Sequence, residues 1–533
     1  MNRSAFSSLP SLALTLSLAV VPMLAAPVGA QPSAFSQSLA AAASQDAAVA
    51  EWYSETGYEP LWTGADDVDR RSAFLAAIAN AADHGLPVQR IGQGNRIIAL
   101  RAASSQGDRG LIEVAMTRAY LAWAGDLTSG AIDPAQVDAG IVRQIDRADP
   151  QALLARIASG NPEAVLTSLL PKSPAYLNLM KAKIGLEAQI AAGGWGEPLA
   201  LTPLEFGATG PAVVALRDRL MRMGYLAPTA TASYDRAVQS GVQAFQLAHG
   251  LVADGRAGEG TLVELNIGPE ARLKSVIVAL ERERWLDIDR SARHIWVNLP
   301  DFRAKIIEDG RTVFDTRVVI GKNVPDQRSP EFSDQMDHMV INPSWGVPRS
   351  IIVKEYLPLL QQNPNAVGHL QVIDGRGRVV PRGSVNFSAY SARSFPYGLR
   401  QPPSDGNALG LVKFMFPNPY NIYLHDTPSK SLFANDVRAY SHGCIRVADP
   451  FDLAYALLAL QSPDPQAEFQ AHLDTGNETR VDLVKPVPVH LVYFTAYPDS
   501  KGRIGFRRDV YGRDAALFDA LEAAGVVLGG LRG

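Results

Sequence analysis

HIWVNLPDFRAKIIEDGRTVFDTRVVIG, residues 294–321, alternates apolar and polar side chains with a period of two, interrupted at Pro300-Asp301 and Asp309-Gly310. That period marks strands with one buried face, and such pairs form turns, so an antiparallel meander of three strands is expected. N-terminal to it the period changes. SAFLAAIANAADHGL (72–86) and GLIEVAMTRAYLAWAGDL (110–127) space their apolar residues by three and four, as amphipathic helices do. A helical domain over 51–200 follows, with His84 alone in it as an ordinary helix-end residue. C-terminal to the meander, further strands are expected around DHMVINPSWGVP (337–348) and NIYLHD (421–426). Helices are expected at SIIVKEYLPLLQQ (350–362) and DPFDLAYALLALQ (449–461), where Asp449 is able to cap and Pro450 suits the first turn. The class is therefore α+β and multidomain.

The 533 residues suffice for three or four domains. Fifty basic against 54 acidic side chains exclude the basic excess of a general nucleic-acid binder. Met1 to Ala30 carries Arg3, an apolar stretch from Leu9 to Ala26 and small residues at Val28-Gly29-Ala30, the pattern of a secretory signal peptide cleaved after about Ala30. Retention as a membrane anchor is the alternative, and either way export of the body is expected. Residues 31–50 are small and polar and read as a flexible leader. Between 204 and 268, Val213, Leu216 and Leu220 on one helical face and Val238, Val242 and Phe245 on another imply packed short helices. The segment 369–410 is rich in Gly, Pro, Ser and Arg and too long for an ordinary connection, so a lid or binding loop is expected. Residues 486–533 form a C-terminal extension expected to pack on the rest.

Chemistry concentrates in NIYLHDTPSKSLFANDVRAYSHGCIRVADPFDLAYALL, residues 421–458. Cys444 is the single cysteine, so it makes no internal disulfide, and in an exported chain an idle thiol is unusual. His425 and His442 bracket it. A strand from Asn421 to His425 would place Tyr423 and His425 on one side. An imidazole, the Arg446 guanidinium and a helix just downstream would all favour the thiolate. His425 is the candidate general base, with Gly443 permitting a tight turn whose amides face an oxyanion and Tyr423 as a further donor. Arg446 suits the thiolate or a substrate carboxylate. Trp345, Arg393 and Arg400 are candidate substrate contacts, within a local arginine excess that includes Arg376, Arg378 and Arg382.

His425 followed nineteen positions later by Cys444 in SHGCIR, with INPSWGVPRSI and NALG beforehand, resembles the L,D-transpeptidase catalytic domain over 290–485. LEFGATGPAVVALRDRLMRMGYL (204–226) and SYDRAVQSGVQAFQLAHGLVADGRAGEGTLVELN (233–266) resemble a small three-helix peptidoglycan-binding domain. With EWYSETGYEPLW at the head of the helical scaffold and PVHLVYFTAYPD near the end, the order of parts is similar to the large multidomain L,D-transpeptidases of Gram-negative bacteria. The resemblance implies a mostly-β catalytic domain whose Cys444 attacks the third-residue carbonyl of a peptidoglycan tetrapeptide stem, releases D-alanine, and passes the acyl group to an amine of a second stem as a 3-3 cross-link. His425 would donate and accept the protons and His442 would support the site. It implies no cofactor, carbapenem-type β-lactams as covalent inhibitors, and other cell-wall enzymes as possible partners. Alternatives from the same residues are L,D-carboxypeptidase activity with water as acceptor, transfer to an outer-membrane protein's amine, a zinc site built from Cys444, His425 and His442, or a non-catalytic wall-binding protein.

Overall fold

The computed structural model describes residues 33–91, 105–286 and 288–529; the proposed signal peptide, residues 1–30, lies outside them. The segment expected to be a flexible leader is instead helical. Ala34–Ala43 is capped by Ser33 and Ala47–Glu55 by Asp46. Composition misled here because the apolar side chains are few but all used: Phe35, Leu39, Ala43 and Val49 are buried with Tyr53 and Val114. The close crossing needs Gly110, where a Cβ would lie 2.2 Å from the Ser38 hydroxyl.

Those helices join a scaffold built on the 24-residue helix Gln106–Ser129. Its buried Glu113 carboxylate accepts the Tyr53 hydroxyl at 2.7 Å and the backbone amides of Leu61, Trp62 and Thr63, so one acid organises the chain that leads into Trp62. Next comes a small unit of three helices, Pro211–Arg222, Arg236–Ala248 and Glu259–Leu265, around Leu216, Val242 and Phe245.

The β-rich part contains strands β1 (His294–Asn298), β2 (Arg303–Glu308), β3 (Arg311–Gly321), β4 (Phe332–Ile341), β5 (Trp345–Gly346), β6 (Gln371–Ile373), β7 (Val379–Val380), β8 (Gly398–Gln401), β9 (Val412–Met415), β10 (Leu424–His425), β11 (Ala439–Ser441), β12 (Ile445–Val447), β13 (Thr479–Val492), β14 (Ala496–Pro498) and β15 (Ile504–Phe506). The first three form the antiparallel meander. They belong to a nine-stranded sheet in the order β11-β3-β12-β10-β9-β4-β13-β1-β2, and β2 also pairs with β3, so the sheet closes on itself. Pairing is mixed, with β1–β13, β10–β12 and β3–β11 parallel. Inside sit Ile295, Val318, Met339, Phe414, Leu424, Ile445 and Leu491, all fully buried. The boundary expected at 485/486 falls within β13, a central strand of this sheet, and the barrel therefore runs on to Val492. Asp449 does not cap the helix Pro450–Leu458; it accepts the Thr316 hydroxyl at 2.7 Å and ties that helix to β3.

The insertion is more than a loop. It begins at Trp345 and runs to Gln401, with its own sheet β5-β8-β6-β7, a helical stretch over 349–362 and a core of Ile352, Leu357, Leu360, Val372, Phe387 and Leu399. Its glycines and prolines obscured apolar positions that bury each other. Arg382, counted in the local arginine excess, donates to the carbonyls of Ala366, Val367 and Leu370 and holds the subdomain together.

Scaffold and barrel meet through the helix Pro269–Trp285. Arg282 pairs with Glu331 at the start of the β4 segment and, at 3.0 Å, with Asp514 of the C-terminal extension, while Arg513 reaches Glu331 at 3.3 Å. All four side chains are buried, so removing one partner leaves an uncompensated charge worth roughly 3–5 kcal/mol.

Candidate active site

The β10–β12 register brings the two halves of the 421–458 motif together. Leu424 pairs with Ile445 and His425 with Arg446, and the Ile445 amide donates to the Tyr423 carbonyl at 3.0 Å. Leu424 and Ile445 point into the barrel; by the alternation of strands, Tyr423, His425, Cys444 and Arg446 therefore share the other face. The strand is shorter than the five residues expected, because Asn421 takes a positive φ of 55° and the chain becomes regular only at Leu424. The Tyr423 and His425 rings nevertheless lie 5.7 Å apart.

His425 is buried, and its Nδ1 donates to the Asp426 carbonyl at 2.5 Å. The other nitrogen, Nε2, is then the proton acceptor of the neutral ring. Burial, with Arg446 adding to it, lowers the imidazole to about 4. Asp426 fixes this arrangement: its carboxylate accepts the Leu411 amide at 2.9 Å and Lys430 Nζ at 2.6 Å. The Asp that follows His425 carried no role in the sequence reading.

Cys444 is half-buried and its thiol donates to the Asn421 carbonyl at 3.5 Å; among the described residues no hydrogen bond joins it to His425. The expectation of a ready thiolate is corrected. Withdrawal from water pushes the thiol up to about 11, against Tyr423 hydrogen bonding and the Arg446 charge, which pull it down. The helix expected to favour the thiolate begins at Pro450, after β12 in the chain. At neutral pH the resting pair is thus thiol and neutral imidazole. Arg446 has a buried Nε without a partner among the described residues, and burial lowers its own pKa while Cys444 raises it.

Gly443 has φ 117°, a conformation that disfavours side chains. Its amide donates to Ser441 Oγ at 3.1 Å and its carbonyl accepts the Ser329 hydroxyl at 2.6 Å. The expected oxyanion amide is therefore already engaged, and Gly443 serves the turn. Tyr423 keeps the donor position beside the sulfur; burial first, then Cys444, raises its phenol well above the usual value, and Trp345 bonds to it from the inserted subdomain. Ser441 donates to the Cys444 carbonyl at 2.5 Å, which closes the turn from within. Ser329 also accepts the Gly321 amide at 3.0 Å, and Tyr511 donates to the Gly321 carbonyl at 2.7 Å. Neither Ser329 nor Tyr511 was visible as a site residue, because each lies far from the motif in sequence and acts on backbone.

His442 is engaged by the inserted subdomain. Its Nε2 meets Glu355 Oε1 of the inserted subdomain at 2.6 Å. Lys354 pairs with Asp326 alongside, so the two contacts latch the lid to the barrel. Among the described residues no three His, Cys, Asp or Glu side chains converge where a metal could sit. Arg400 donates to Gln371 Oε1 at 2.9 Å within the lid sheet, and Arg393 is exposed on the lid. Trp345, at the root of the lid, is the one of the three proposed substrate contacts placed against the reacting groups.

Comparison with known proteins matches three stretches of the chain to families. Residues 292–481 match the L,D-transpeptidase catalytic domain, 47–182 a scaffold domain and 209–265 a "Putative peptidoglycan binding domain". A curated protein of Haemophilus influenzae described as "Putative L,D-transpeptidase" is 32% identical over 242 residues, 45% of this chain and 48% of the relative, so the match spans about half of that relative's length. Crystal structures of L,D-transpeptidases from Xylanimonas cellulosilytica and Stackebrandtia nassauensis align at 19% and 14% identity. They cover 55% and 56% of this chain and 100% and 97% of their own, with TM-scores of 0.17 and 0.22, values at which the superposition carries no weight.

Proposed function

We propose, for a chain that carries an L,D-transpeptidase catalytic domain beside a scaffold domain and a peptidoglycan-binding-type domain, that it is a cysteine-dependent acyltransferase acting on tetrapeptide stems of peptidoglycan. The observation that supports this best is the single face shared by Tyr423, His425, Cys444 and Arg446 across the β10–β12 register.

In the first step the thiol proton passes to His425 Nε2 as Cys444 Sγ bonds to the carbonyl carbon of the third stem residue. The Tyr423 hydroxyl donates to the oxyanion, and Arg446 offsets the negative charge near the sulfur. The bond to D-alanine then breaks, and the leaving amine takes the proton back from the imidazolium, leaving a thioester. An amine of a second stem attacks, gives its proton to His425 and forms a 3-3 cross-link, while the sulfur leaves and is reprotonated. Because thiol and imidazole are both neutral at rest, the proton moves as Cys444 Sγ bonds to the carbonyl carbon and not beforehand. Water as acceptor gives the carboxypeptidase reaction, and an outer-membrane protein's amine gives attachment. Peptidoglycan lies outside the inner membrane, so the reading requires export to the periplasm, for which the Met1–Ala30 segment is the proposed signal.

The test is incubation of purified protein with tetrapeptide muropeptides, followed by mass spectrometry for D-alanine loss and for dimers. Cys444→Ala is expected to abolish both, and His425→Ala to slow them by roughly 10²-fold or more. A carbapenem is expected to add its mass at Cys444. Turnover by Cys444→Ala, or no covalent adduct on the intact chain, would overturn the reading.

A further inference from the structure

Away from the reacting groups, the faces of β1 and β2, the scaffold helix Pro174–Ala191, the helix Arg236–Ala248 of the three-helix unit and the β14–β15 hairpin line a cleft of about 1150 Å³. None of the reacting groups lines it. We infer that this cleft is a second binding site, for a carboxylate-bearing glycan strand, and the inference rests on the peptidoglycan reading above.

Two kinds of group support that ligand chemistry. The first is charge. The arginines in the cleft are already matched: Arg290 with Glu283 at 2.9 Å, Arg503 with Asp499 at 3.3 Å, and Arg507 with Asp301 at 2.5 Å. Lys181, Lys305 and Lys501 line the same walls, and among the described residues none forms an ion pair; Lys305 also bears on the Asp301 carboxylate that Arg507 already holds. An unmatched cationic excess in a cleft attracts an anionic polymer. The second is ring surface. Trp296 and Tyr497 are half-buried, and each is fixed by a guanidinium, Arg290 at 5.0 Å from the Trp296 ring and Arg507 at 5.1 Å from Tyr497. Held aromatic surface with one polar rim suits a sugar ring, which has both apolar faces and hydroxyls.

Two histidines close the wall behind these groups. His249 and His294 are both more than nine-tenths buried on the cleft wall, and each has Nδ1 against a backbone carbonyl, Phe245 at 2.8 Å and Ala292 at 2.7 Å. With the proton on Nδ1, each Nε2 is a lone-pair acceptor that is withdrawn from solvent and, among the described residues, has no partner. Neither atom is reached from the cleft, so the strand is held by the lysines, which meet its carboxylates, and by the aromatic faces, which meet its sugar rings. The three-helix unit contributes only one wall, so the site is composite, and the unit alone would hold the strand weakly.

The experiment uses the full chain with Cys444→Ala, which removes turnover, and measures affinity for peptidoglycan glycan strands stripped of their peptides. Neutral chitooligosaccharides, an unrelated acidic polysaccharide and free tetrapeptide are run as separate arms. Lys181→Glu with Lys501→Glu is expected to weaken strand binding roughly tenfold, with a shallower salt dependence. The same charge change at Lys172 and Lys485, outside the cleft, is expected to leave affinity within about twofold. Thermal melts matching the parent exclude misfolding, and Lys305→Gln, a milder change, is expected to weaken binding in the same direction. Preference for the stripped strands over the other acidic polysaccharide assigns the source; the reverse preference keeps the site and changes its ligand source. Equal weakening by both double variants, no weakening by either, or competition by tetrapeptide as good as by strands would overturn the proposal. Failure of the unmodified chain to release D-alanine strikes the proposed function separately, since it leaves the strand affinities as measured.

Discussion

The sulfur of Cys444 and the ring of His425 are both kept uncharged by the same lack of water, and this sets how the free protein reacts. With the thiol at about 11, its ionised fraction rises about tenfold for each pH unit between 7 and 9. Alkylation of the free chain by iodoacetamide is therefore expected to climb throughout that range; a plateau by pH 7 would show a thiolate already formed. Beside it, Gly443→Ala would force a side chain into φ 117° and put its Cβ 3.2 Å from Ile422. Strain of about 1–3 kcal/mol is expected there, with a folded protein whose carbapenem adduct forms at least about tenfold more slowly. An unchanged adduct rate on a stably folded variant would mean the turn is not needed. Cys444, His425 and Arg446 were legible because their spacing is a local pattern in the chain. The thiol's protonation state was not, since it depends on Tyr423, Trp345 and the depth of the cleft, which only folding assembles.

The strands and the inserted subdomain divide the work of holding that pair. β10 and β12 contribute only two and three residues, so the SHGC turn depends on neighbours for its position. Ser329, in the connection between β3 and β4, is one such neighbour, fully buried with its hydroxyl engaged at both Gly443 and Gly321. Ser329→Ala leaves a buried carbonyl and a buried amide unsatisfied, at about 1–3 kcal/mol each. The expected result is a lower melting temperature together with slower D-alanine release; full activity would show that the turn stands without it. The meander at 294–321 was plain from its period of two. The lid was not, because its helix over 349–362 and its short strands bury side chains against one another across a sequence dominated by turn formers. His442 belongs at this scale too, for its bond to Glu355 connects turn and lid.

Across the whole molecule, burial of histidines fixes the acid response. His84 and His425 are lowered to about 4 and His490 to about 3, in each case chiefly by burial, whereas unfolded histidine titrates near 6.5. A depressed folded pKa stabilises above the unfolded value and is lost as pH falls toward the folded one. Buried Asp514 and Asp126, raised to about 7 and about 6, take up protons in the folded state and offset part of this. The histidines outweigh them by roughly one proton near pH 5, so stability is expected to fall by about 1 kcal/mol per pH unit there. Melting curves from pH 6.5 to 4.5 check the sign; a rising melting temperature on acidification would contradict it. The helical scaffold and the three-helix unit were legible from apolar spacing. The ion cluster of Arg282, Glu331, Arg513 and Asp514 was not, since its members are scattered over more than two hundred positions. The Tyr511 hydroxyl, which braces Gly321 and through Ser329 the nucleophile's turn, arrives late in synthesis. A nascent chain grows from its N-terminus, so translation must proceed past Tyr511 before that brace exists, and a product truncated ahead of it would carry every reacting side chain on an unsupported backbone.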